Sequence, residues 1–202
     1  MNVKTRNRKA GQAEATRVAL MAAAREMFAE RGYSGVSAEE IVARAGVTRG
    51  ALYHHFEGKK GLFAAVYEEI ERETVERIAA RALEGADIWD ASQIGWRAFL
   101  DECRDPAVSR IALLDAPSVL GLEHWREIAD RYGGAMVRAN LEALMDAGEI
   151  ERQPVVPAAR ILTGALIEGA IAVAEAPDPD AAIERMSGAV ERLFAGLRLK
   201  TQ

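Results

Sequence analysis

The sequence contains little of what builds disulfide-stabilised, metal-binding or all-β proteins. Among its 202 residues there is one cysteine, Cys103, and there are three histidines. A single thiol cannot form an internal disulfide, which fits a reducing compartment. Aromatic residues make up only 6% of the chain, and helix formers such as Ala, Glu, Arg and Leu dominate it. Because the alternation typical of strands is absent as well, the sequence predicts an all-α protein.

Long apolar segments are also scarce. The most apolar one, residues 161–174, is interrupted by Glu168 and is shorter than the roughly 20 residues that a membrane-spanning helix needs. We interpret it as a buried core or interface helix. The basic N-terminus is not followed by the apolar run of a secretory signal, so we expect a cytoplasmic protein without a membrane partner.

Charge is distributed unevenly along the chain. The first 60 residues carry 11 Lys and Arg against 6 Asp and Glu, whereas the remainder carries 15 against 25. This pattern favours a polyanionic partner at the N-terminal end, although a solvated basic surface gives the same signal. Residues 1–13 are predicted to form a flexible basic arm. It either lies in a DNA minor groove or only aids solubility, and its cations are Lys4, Arg6, Arg8 and Lys9.

Turn signals divide the rest into about nine helices. Helices 1 and 2 are predicted at 14–31 and 38–45, a short helix 3 begins at residue 49, and a long helix 4 covers 59–83. Helix 5 is predicted at 88–103, and helix 6 begins at Asp105-Pro106 and ends before Ala116-Pro117. Helices 7 and 8 are predicted at 123–147 and 158–174, and helix 9 ends near Leu199. A proline disfavours the helical region for the residue before it, which sets the predicted end of helix 6.

Helices 2 and 3 have the form of a helix-turn-helix. Ser37 and Glu40 are spaced as a capping box, and Thr48 is the expected N-cap of helix 3. In such a unit the N-terminal end of the second helix meets base edges in the major groove of DNA. At 100° per residue, Arg49, Gly50 and Tyr53 share one face of this helix.

Two features of this region destabilise the helices that contain them: a glycine within helix 3 and two lysines at the start of helix 4. Gly50 costs roughly 0.8–1 kcal/mol in a helix relative to Ala. Close approach of backbone to DNA would explain it, as would relief of packing against helix 1. Lys59 and Lys60 oppose the macrodipole at the start of helix 4. A docked phosphate would reverse that effect, whereas solvated surface lysines are the alternative.

The pair His54-His55 is a weak candidate for a metal site. Adjacent side chains on a helix point in different directions, and helical two-histidine sites use i,i+4 spacing. We therefore predict no metal and no cofactor. His54 is expected to face phosphate, and His55 is expected to lie inward with Phe56.

Residues 16–63, TRVALMAAAREMFAERGYSGVSAEEIVARAGVTRGALYHHFEGKKGLF, resemble the tetracycline-repressor (TetR) family of bacterial transcriptional regulators. The motifs F-x-E-R-G-Y, I-x-x-x-A-G-V and G-x-L-Y-x-H-F-x-x-K carry the resemblance. It implies contacts of Ser37, Thr48 and Lys59 with phosphates. It also implies that the exposed face of helix 3 lies against DNA, through Arg49, Gly50, Ala51, Tyr53 and His54.

The sequence departs from the family pattern at two positions. Gly58 stands where a Ser or Asn cap is usual, and Lys60 stands where an acidic residue is usual. Both departures bear on the start of helix 4 and leave helix 3 unaffected.

Residues 85–199 loosely resemble the helical regulatory domain of the same family. Large side chains concentrate there, and they are typical both of a ligand pocket among helices 4–8 and of a plain core. The resemblance implies a small hydrophobic or aromatic effector. The candidate contacts are Trp96, Phe99, Leu114, Trp125, Tyr132 and Met136.

Helices 8 and 9 are the candidates for a dimer interface. Helix 8 is rich in small residues and helix 9 carries an apolar stripe. The resemblance implies that two such helices from each subunit form a four-helix contact. The predicted contact residues are Leu162, Leu166, Gly169, Val173, Met186, Val190, Leu193 and Leu197.

The prediction is therefore a homodimeric DNA-binding regulator, most simply a repressor, acting on a pseudo-palindromic operator at the nucleoid. Residues 14–60 form the DNA-binding domain, and residues 61–202 bind a ligand and dimerise. One alternative is a regulator whose C-terminal domain only dimerises. An enzyme is not predicted, because no nucleophile–base spacing connects the reactive groups Asp101, Glu102, Cys103, Asp115 and His124.

Overall fold

The computed structural model describes residues 3–199, with side chains from residue 11 onward. Nine continuous helical segments make up this part of the chain, which confirms the all-α class. They are α1 (Val3–Arg31), α2 (Ala38–Arg44), α3 (Arg49–Phe56), α4 (Lys59–Ala82), α5 (Ile88–Glu102), α6 (107–120), α7 (122–146), α8 (Val155–Ala174) and α9 (Pro179–Ala195).

Helix α1 begins at Val3 rather than near Glu14. The start predicted for helix 1 is corrected, since the backbone of residues 3–13 continues α1, whereas the flexibility of the arm stays a prediction. The four basic side chains of the arm lie outside the described residues, so their role stays a prediction.

Two helices contain a π-helical segment that the sequence did not predict. In α6 a π segment (Ala107–Asp115) is followed directly by an α segment (Ala116–Leu120). The π segment ends at Asp115, directly before Ala116-Pro117 as predicted, but the helix itself does not end there. The Ala116 N–H still donates to the Ile111 carbonyl, and Pro117 lies at the start of the α segment that follows. Helix α7 consists of Leu122–Ala129, the π segment Asp130–Gly134, and Ala135–Asp146.

The C-terminal helices differ from their predicted bounds. Helix α8 begins at Val155, and α9 ends at Ala195 rather than near Leu199. After α9 the chain turns back onto the loop that follows α7. There the Leu199 N–H donates to the Glu149 carbonyl at 2.9 Å, and the Arg198 guanidinium pairs with the Glu149 carboxylate at 3.0 Å.

Two apolar clusters form the core. The first joins α1–α4 and includes the edge-to-face rings of Phe28 and Phe63, whose centroids are 5.2 Å apart. Side chains of α6 and α7, such as Ile111 and Trp125, are buried in the same cluster. The second cluster joins α5 with parts of α6, α7, α8 and α9. Because the first cluster crosses residue 60, the two predicted domains share a core.

A hydrogen bond also crosses this boundary. The Tyr33 N–H, after α1, donates to the Asp115 carboxylate of α6 at 2.7 Å. The helix-turn-helix is thus joined to the C-terminal helices both through α4 and through α6.

Candidate nucleic-acid interface

Local capping fixes the start of α2. The Ser37 hydroxyl accepts the Glu40 N–H at 3.2 Å, and the Glu40 carboxylate accepts the Ser37 N–H at 2.8 Å, which confirms the capping box. Arg31 binds the other oxygen of Glu40 at 2.7 Å. The Arg31 guanidinium and the Ser37 hydrogen bonds lower the pKa of Glu40 to about 2. The carboxylate therefore stays ionised, and α2 stays capped, throughout the physiological pH range.

A tight turn and a buried leucine set the orientation of α3. Gly46 lies in the left-handed region at φ 66°, as required after the end of α2. The Thr48 hydroxyl then accepts the Ala51 N–H at 3.3 Å, which confirms the predicted N-cap. Leu52 and Ile41 are fully buried in the first cluster. These contacts hold the opposite face of α3 towards solvent.

The solvent face of α3 presents the side chains predicted to meet DNA. Arg49, Gly50 and His54 are exposed, Tyr53 is 50% exposed, and Ala51 is half-buried. The Arg49 guanidinium lies 2.8 Å from the Glu39 carboxylate and 5.6 Å from the centre of the Tyr53 ring. An exposed ion pair contributes at most about 1 kcal/mol, so Arg49 can exchange Glu39 for another anion at little cost.

Gly50 has no packing role among the residues whose side chains the structure describes. Beyond its own helix and its chain neighbours, a Cβ atom built there would meet only the Thr48 hydroxyl among these residues, at 3.8 Å. Relief of packing against α1, the structural explanation offered by the sequence, is therefore wrong. Gly61 is the opposite case, because a Cβ there would lie 1.7 Å from the Phe56 carbonyl oxygen. The fold requires glycine at Gly61 but not at Gly50.

The start of α4 uses backbone conformation instead of a side-chain cap. Glu57 ends α3 in the left-handed region at φ 59°, and Gly58 follows at φ 107°. The Gly58 carbonyl accepts the Leu62 N–H at 3.0 Å. Glycine thus replaces the family's usual cap at a position where a larger residue would be strained.

Lys59 is neither a solvated lysine nor a freely exposed phosphate ligand. Its ammonium donates to the Tyr33 carbonyl at 2.8 Å and to the Val36 carbonyl at 2.6 Å, and it lies 3.9 Å from the centre of the Tyr33 ring. Burial lowers the pKa of Lys59. Since an ammonium has three donors, one remains for a phosphate. Lys60, next to it, is exposed.

The two histidines are separated by their environments. Their ring centres are 5.1 Å apart and roughly perpendicular. His54 is exposed, whereas His55 is half-buried beside Phe56, with ring centres 6.2 Å apart. Among the described residues, no group of three His, Cys, Asp or Glu side chains is placed to hold a metal ion.

A cavity of about 70 Å³ lies among α4–α8, in the region predicted to bind a ligand. Four of the six predicted contacts line it: Trp96, Phe99, Trp125 and Met136. The other two do not. Leu114 is 39% exposed, and the Tyr132 hydroxyl donates to the Glu68 carboxylate at 3.0 Å.

Three polar groups lie in the cavity wall, and the sequence analysis predicted only one of them, Trp96. The Trp96 indole N–H is buried without a hydrogen-bond partner among residues 11–199, and the buried Tyr67 hydroxyl lies beside the Glu71 carboxylate. The Glu71 carboxylate borders the cavity too, and burial raises its pKa to about 7. The spacing of residues in α4 could have indicated Glu71. It follows Tyr67 by four residues and precedes buried Thr74 by three, which places all three side chains on the inner face of the helix.

The predicted dimer residues fall on two different faces of α8 and α9. Leu166, Gly169, Val173 and Val190 are buried inside the protomer, so their assignment to a subunit contact was wrong. Leu162 and Met186 are half-buried. Leu193 and Leu197 are exposed. An adjoining face of α8 is exposed as well; it includes some of the small residues that favoured close helix approach, although none of its members was among the predicted contacts: Val156, Ile161, Gly164, Ala165, Glu168 and Ala172.

Helix α8 has the length and composition of a membrane span, although only 22% of its apolar window is buried. Its exposed face carries Arg160 and Glu168 beside Ile161. Charged side chains facing lipid are costly. A protein partner suits this mixed surface better than lipid does.

The reactive side chains considered for catalysis are dispersed and engaged elsewhere. Asp101 binds Arg81 at 2.9 Å, Glu102 binds Arg77, and Asp115 accepts the Tyr33 N–H. Burial raises the pKa of the Cys103 thiol to about 12, which leaves it a poor nucleophile. His124 lies at the surface of α7.

Known proteins match the chain at both ends. Residues 20–66 match the family described as bacterial regulatory proteins, tetR family, and residues 89–197 match the tetracyclin repressor-like C-terminal domain. A TetR-family transcriptional regulator from Pectobacterium atrosepticum has the same fold, with a TM-score of 0.81 and 35% identity. That match covers 95% of this chain and 98% of the other.

Two further relatives differ in how much they share. The transposon Tn10 TetC protein of Escherichia coli is 28% identical over 138 residues, which is 68% of this chain and 70% of TetC. The transcriptional repressor BepR of Brucella suis is 48% identical over 61 residues, only 29% of its own length. The matched families and relatives are regulators rather than enzymes. From the family matches and the full-length resemblance together, the chain belongs to the TetR family of bacterial transcriptional regulators.

Proposed function

We propose that this chain is a cytoplasmic repressor that binds a pseudo-palindromic operator as a homodimer and is released by a small organic effector. The observation that carries the proposal is the solvent face of α3. There, Arg49, Gly50 and Tyr53 face outward from a helix held by Leu52, and none of the described side chains closes over Gly50. Arginine is the side chain that most often reads guanine in the major groove.

Phosphate contacts complete the proposed interface. Ser37 and Thr48 lie at the N-termini of α2 and α3, where backbone N–H groups and the helix dipole favour anions. Lys59 offers its remaining donor beside them, and His54 lies on the exposed side of α3. Such contacts position the protein on DNA and do not read sequence.

Titration of fluorescent duplexes tests DNA binding. Duplexes tiling the region upstream of the protein's own gene are compared with a scrambled duplex at two salt concentrations. We expect one tile to bind at least about 10³-fold more tightly than the scrambled duplex, with a steep salt dependence. Equal affinity for all duplexes would refute a sequence-specific regulator.

Replacing Arg49 distinguishes base-specific contacts from non-specific electrostatic attraction to DNA. Arg49→Ala should cost about 1–3 kcal/mol on the preferred duplex and much less on the scrambled one. Arg126→Ala, which removes an exposed cation from α7, is the matched control and should leave both affinities unchanged. Equal losses for Arg49→Ala on both duplexes would mean that Arg49 does not read bases.

The proposed dimer contact is the exposed face of α8 together with Leu193 and Leu197 of α9. Ile161 is 72% exposed and Leu193 is 64% exposed, and the small residues Gly164 and Ala165 between them allow close helix approach. Two half-sites require two α3 helices related by a two-fold axis, so this contact also supports operator binding.

Light scattering on purified variants tests the contact. Ile161→Glu should convert a dimer to a monomer and abolish binding to a duplex with two half-sites. Leu83→Glu changes a leucine that is 87% exposed at the end of α4 and should remain dimeric. A wild-type monomer, or an Ile161→Glu dimer, would refute this interface.

The cavity among α4–α8 is the proposed effector site. Two of its walls lead to the DNA-binding unit: α4 runs directly from α3, and α6 holds the Tyr33 backbone through Asp115. A ligand that favours a displaced arrangement of α4 and α6 would therefore disfavour the DNA-binding state. The expected result is loss of operator binding when the effector is added.

The cavity's small volume also supports a second candidate, a regulator whose C-terminal domain only dimerises. Ligand sites for drug-sized molecules usually have about 300–1,000 Å³, whereas this cavity has about 70 Å³. A thermal-shift screen of small organic molecules separates the two, because a ligand of the folded state raises the melting temperature by mass action.

A further inference from the structure

We propose that the cavity among α4–α8 selects a compact aromatic amine, bound as a cation against Glu71, with an oxygen on its ring that accepts a hydrogen bond from Trp96. The inference rests on the proposed effector function of the same cavity. It adds the chemical class of the effector, which the fold alone does not give.

The arrangement of polar groups defines what the ligand must offer. The Trp96 indole N–H can only donate, and it is buried without a partner among residues 11–199. The Tyr67 hydroxyl, in contrast, lies beside the Glu71 carboxylate. Buried polar groups are nearly always hydrogen-bonded, so an orphaned donor in the cavity wall indicates a missing acceptor. A ring oxygen of the ligand supplies it.

The carboxylate defines the charge. No basic side chain among the described residues contributes to the environment of Glu71, where burial and the Tyr67 hydroxyl dominate. A buried carboxylate without a cation is costly and repels anionic ligands. A ligand ammonium removes that cost, and the rings of Trp96, Phe99 and Trp125 around the same cavity add cation–π attraction.

Size requires the cavity to expand. A cavity of about 150 Å³ is needed to hold benzene, and this one has about 70 Å³. Both π-helical segments border it, Ala107–Asp115 through Ala112 and Leu113, and Asp130–Gly134 through Gly133. Such segments are frequent at functional sites. Expansion against the first segment displaces the part of α6 that contains Asp115, which links ligand size to the DNA-binding unit.

Three matched probes on the full-length protein test the class of ligand. Tyramine carries the ring, the oxygen and the ammonium; 4-ethylphenol lacks the ammonium; 4-hydroxyphenylacetate replaces it with a carboxylate. By calorimetry we expect tyramine to bind at least about tenfold more tightly than 4-ethylphenol, as a charge-assisted contact implies. We expect no binding of the carboxylate probe.

Variants assign the selectivity to named groups. Glu71→Gln should lower the affinity for tyramine to that for 4-ethylphenol and leave 4-ethylphenol unchanged. Trp96→Phe, which removes only the N–H donor, should weaken both probes alike. Glu76→Gln on the exposed side of α4 is the matched control and should change nothing. A circular-dichroism melt of each variant shows whether it is folded.

Several outcomes overturn the proposal: equal affinities for tyramine and 4-ethylphenol, preference for the carboxylate probe, an unchanged tyramine affinity in Glu71→Gln, or no binding of any probe at millimolar concentration. Titration of the operator without ligand distinguishes failure of the proposed ligand class from failure of the proposed regulator function. A chain that binds its operator but no amine refutes only the ligand class, whereas a chain that binds tyramine but no operator refutes the proposed function.

Discussion

The solvent face of α3 and the cavity among α4–α8, the two proposed binding sites, both contain polar groups, but in opposite surroundings. On α3 the Arg49 guanidinium already pairs with Glu39 in contact with water. In the cavity, Tyr67 and Trp96 are buried, and Glu71 is half-buried with the Tyr67 hydroxyl beside it and no basic side chain in its environment. Because water solvates both partners, the Arg49–Glu39 ion pair can be exchanged with little change in free energy. A polar group in the cavity that lacks a hydrogen-bond partner, in contrast, destabilises the folded state.

The difference teaches how the two sites divide their tasks. An exposed, exchangeable surface gives reversible binding whose strength depends on salt. A buried polar site gives chemical selectivity, because a ligand that lacks the matching groups leaves them unpaired.

The largest expected effect concerns the pH dependence of stability through Glu71. Burial raises its pKa to about 7 in the folded chain, above the ordinary value of 4.5. The folded chain therefore keeps this proton at pH values where the unfolded chain has lost it. The stabilisation is complete below the ordinary pKa and is lost as pH rises towards about 7.

Urea unfolding between pH 4.5 and 8 measures this loss, which should be on the order of 3 kcal/mol for a shift of this size. Glu71→Gln cannot ionise and should remove this part of the pH dependence, whereas Glu76→Gln should retain it. Identical pH profiles for the wild type and Glu71→Gln would show that the carboxylate is solvated like a surface group.

Lys59 is an intermediate case, a half-buried cation beside the DNA-facing surface. Lys59→Ala leaves the Tyr33 and Val36 carbonyls without their donor and should destabilise the chain by about 1–3 kcal/mol. Lys60→Ala, at the exposed neighbouring position, should change stability by less than about 0.5 kcal/mol. Chemical unfolding of both variants measures the contrast, and equal stabilities would mean that Lys59 is held no more firmly than Lys60.

Replacing Glu39 tests how readily Arg49 exchanges its ion pair with Glu39 for a contact with DNA. Glu39→Gln breaks the pair with Arg49, and the stability should change by no more than about 1 kcal/mol. Operator affinity should rise, because Arg49 no longer has to leave an anion and the interface loses a negative charge. Anisotropy titration checks this, and a weaker complex would show that Glu39 positions Arg49 instead of competing for it.

The helix-turn-helix was predictable from sequence residue by residue because local signals determine it. The capping box at Ser37, the cap at Thr48 and the glycine at Gly46 act within a few residues of chain. The role of Lys59 was not predictable in this way. Its partners, the carbonyls of Tyr33 and Val36, are brought to it only by the packing of α1 against α4.

The C-terminal helices were predictable as helices but not in their details. Periodicity marks an apolar stripe without saying whether it faces the core or a second subunit, which is why Leu166 and Val173 were assigned to the wrong surface. The π segments in α6 and α7 carry no local sequence signal of their own. Glu71 was overlooked because a glutamate on a charged helix is ordinarily a surface residue.

Gly50 provides the most direct test of the central claim, that α3 is shaped for DNA at the expense of its own stability. In Gly50→Ala the new methyl group meets, outside its own helix and chain neighbours, no atom of the described residues closer than 3.8 Å, so it should stabilise the folded chain by roughly 0.5 kcal/mol through helix propensity. The added methyl lies where the backbone is proposed to approach the major groove, so operator affinity should fall. Higher stability with weaker operator binding is the predicted result, and unchanged or tighter operator binding would contradict the account.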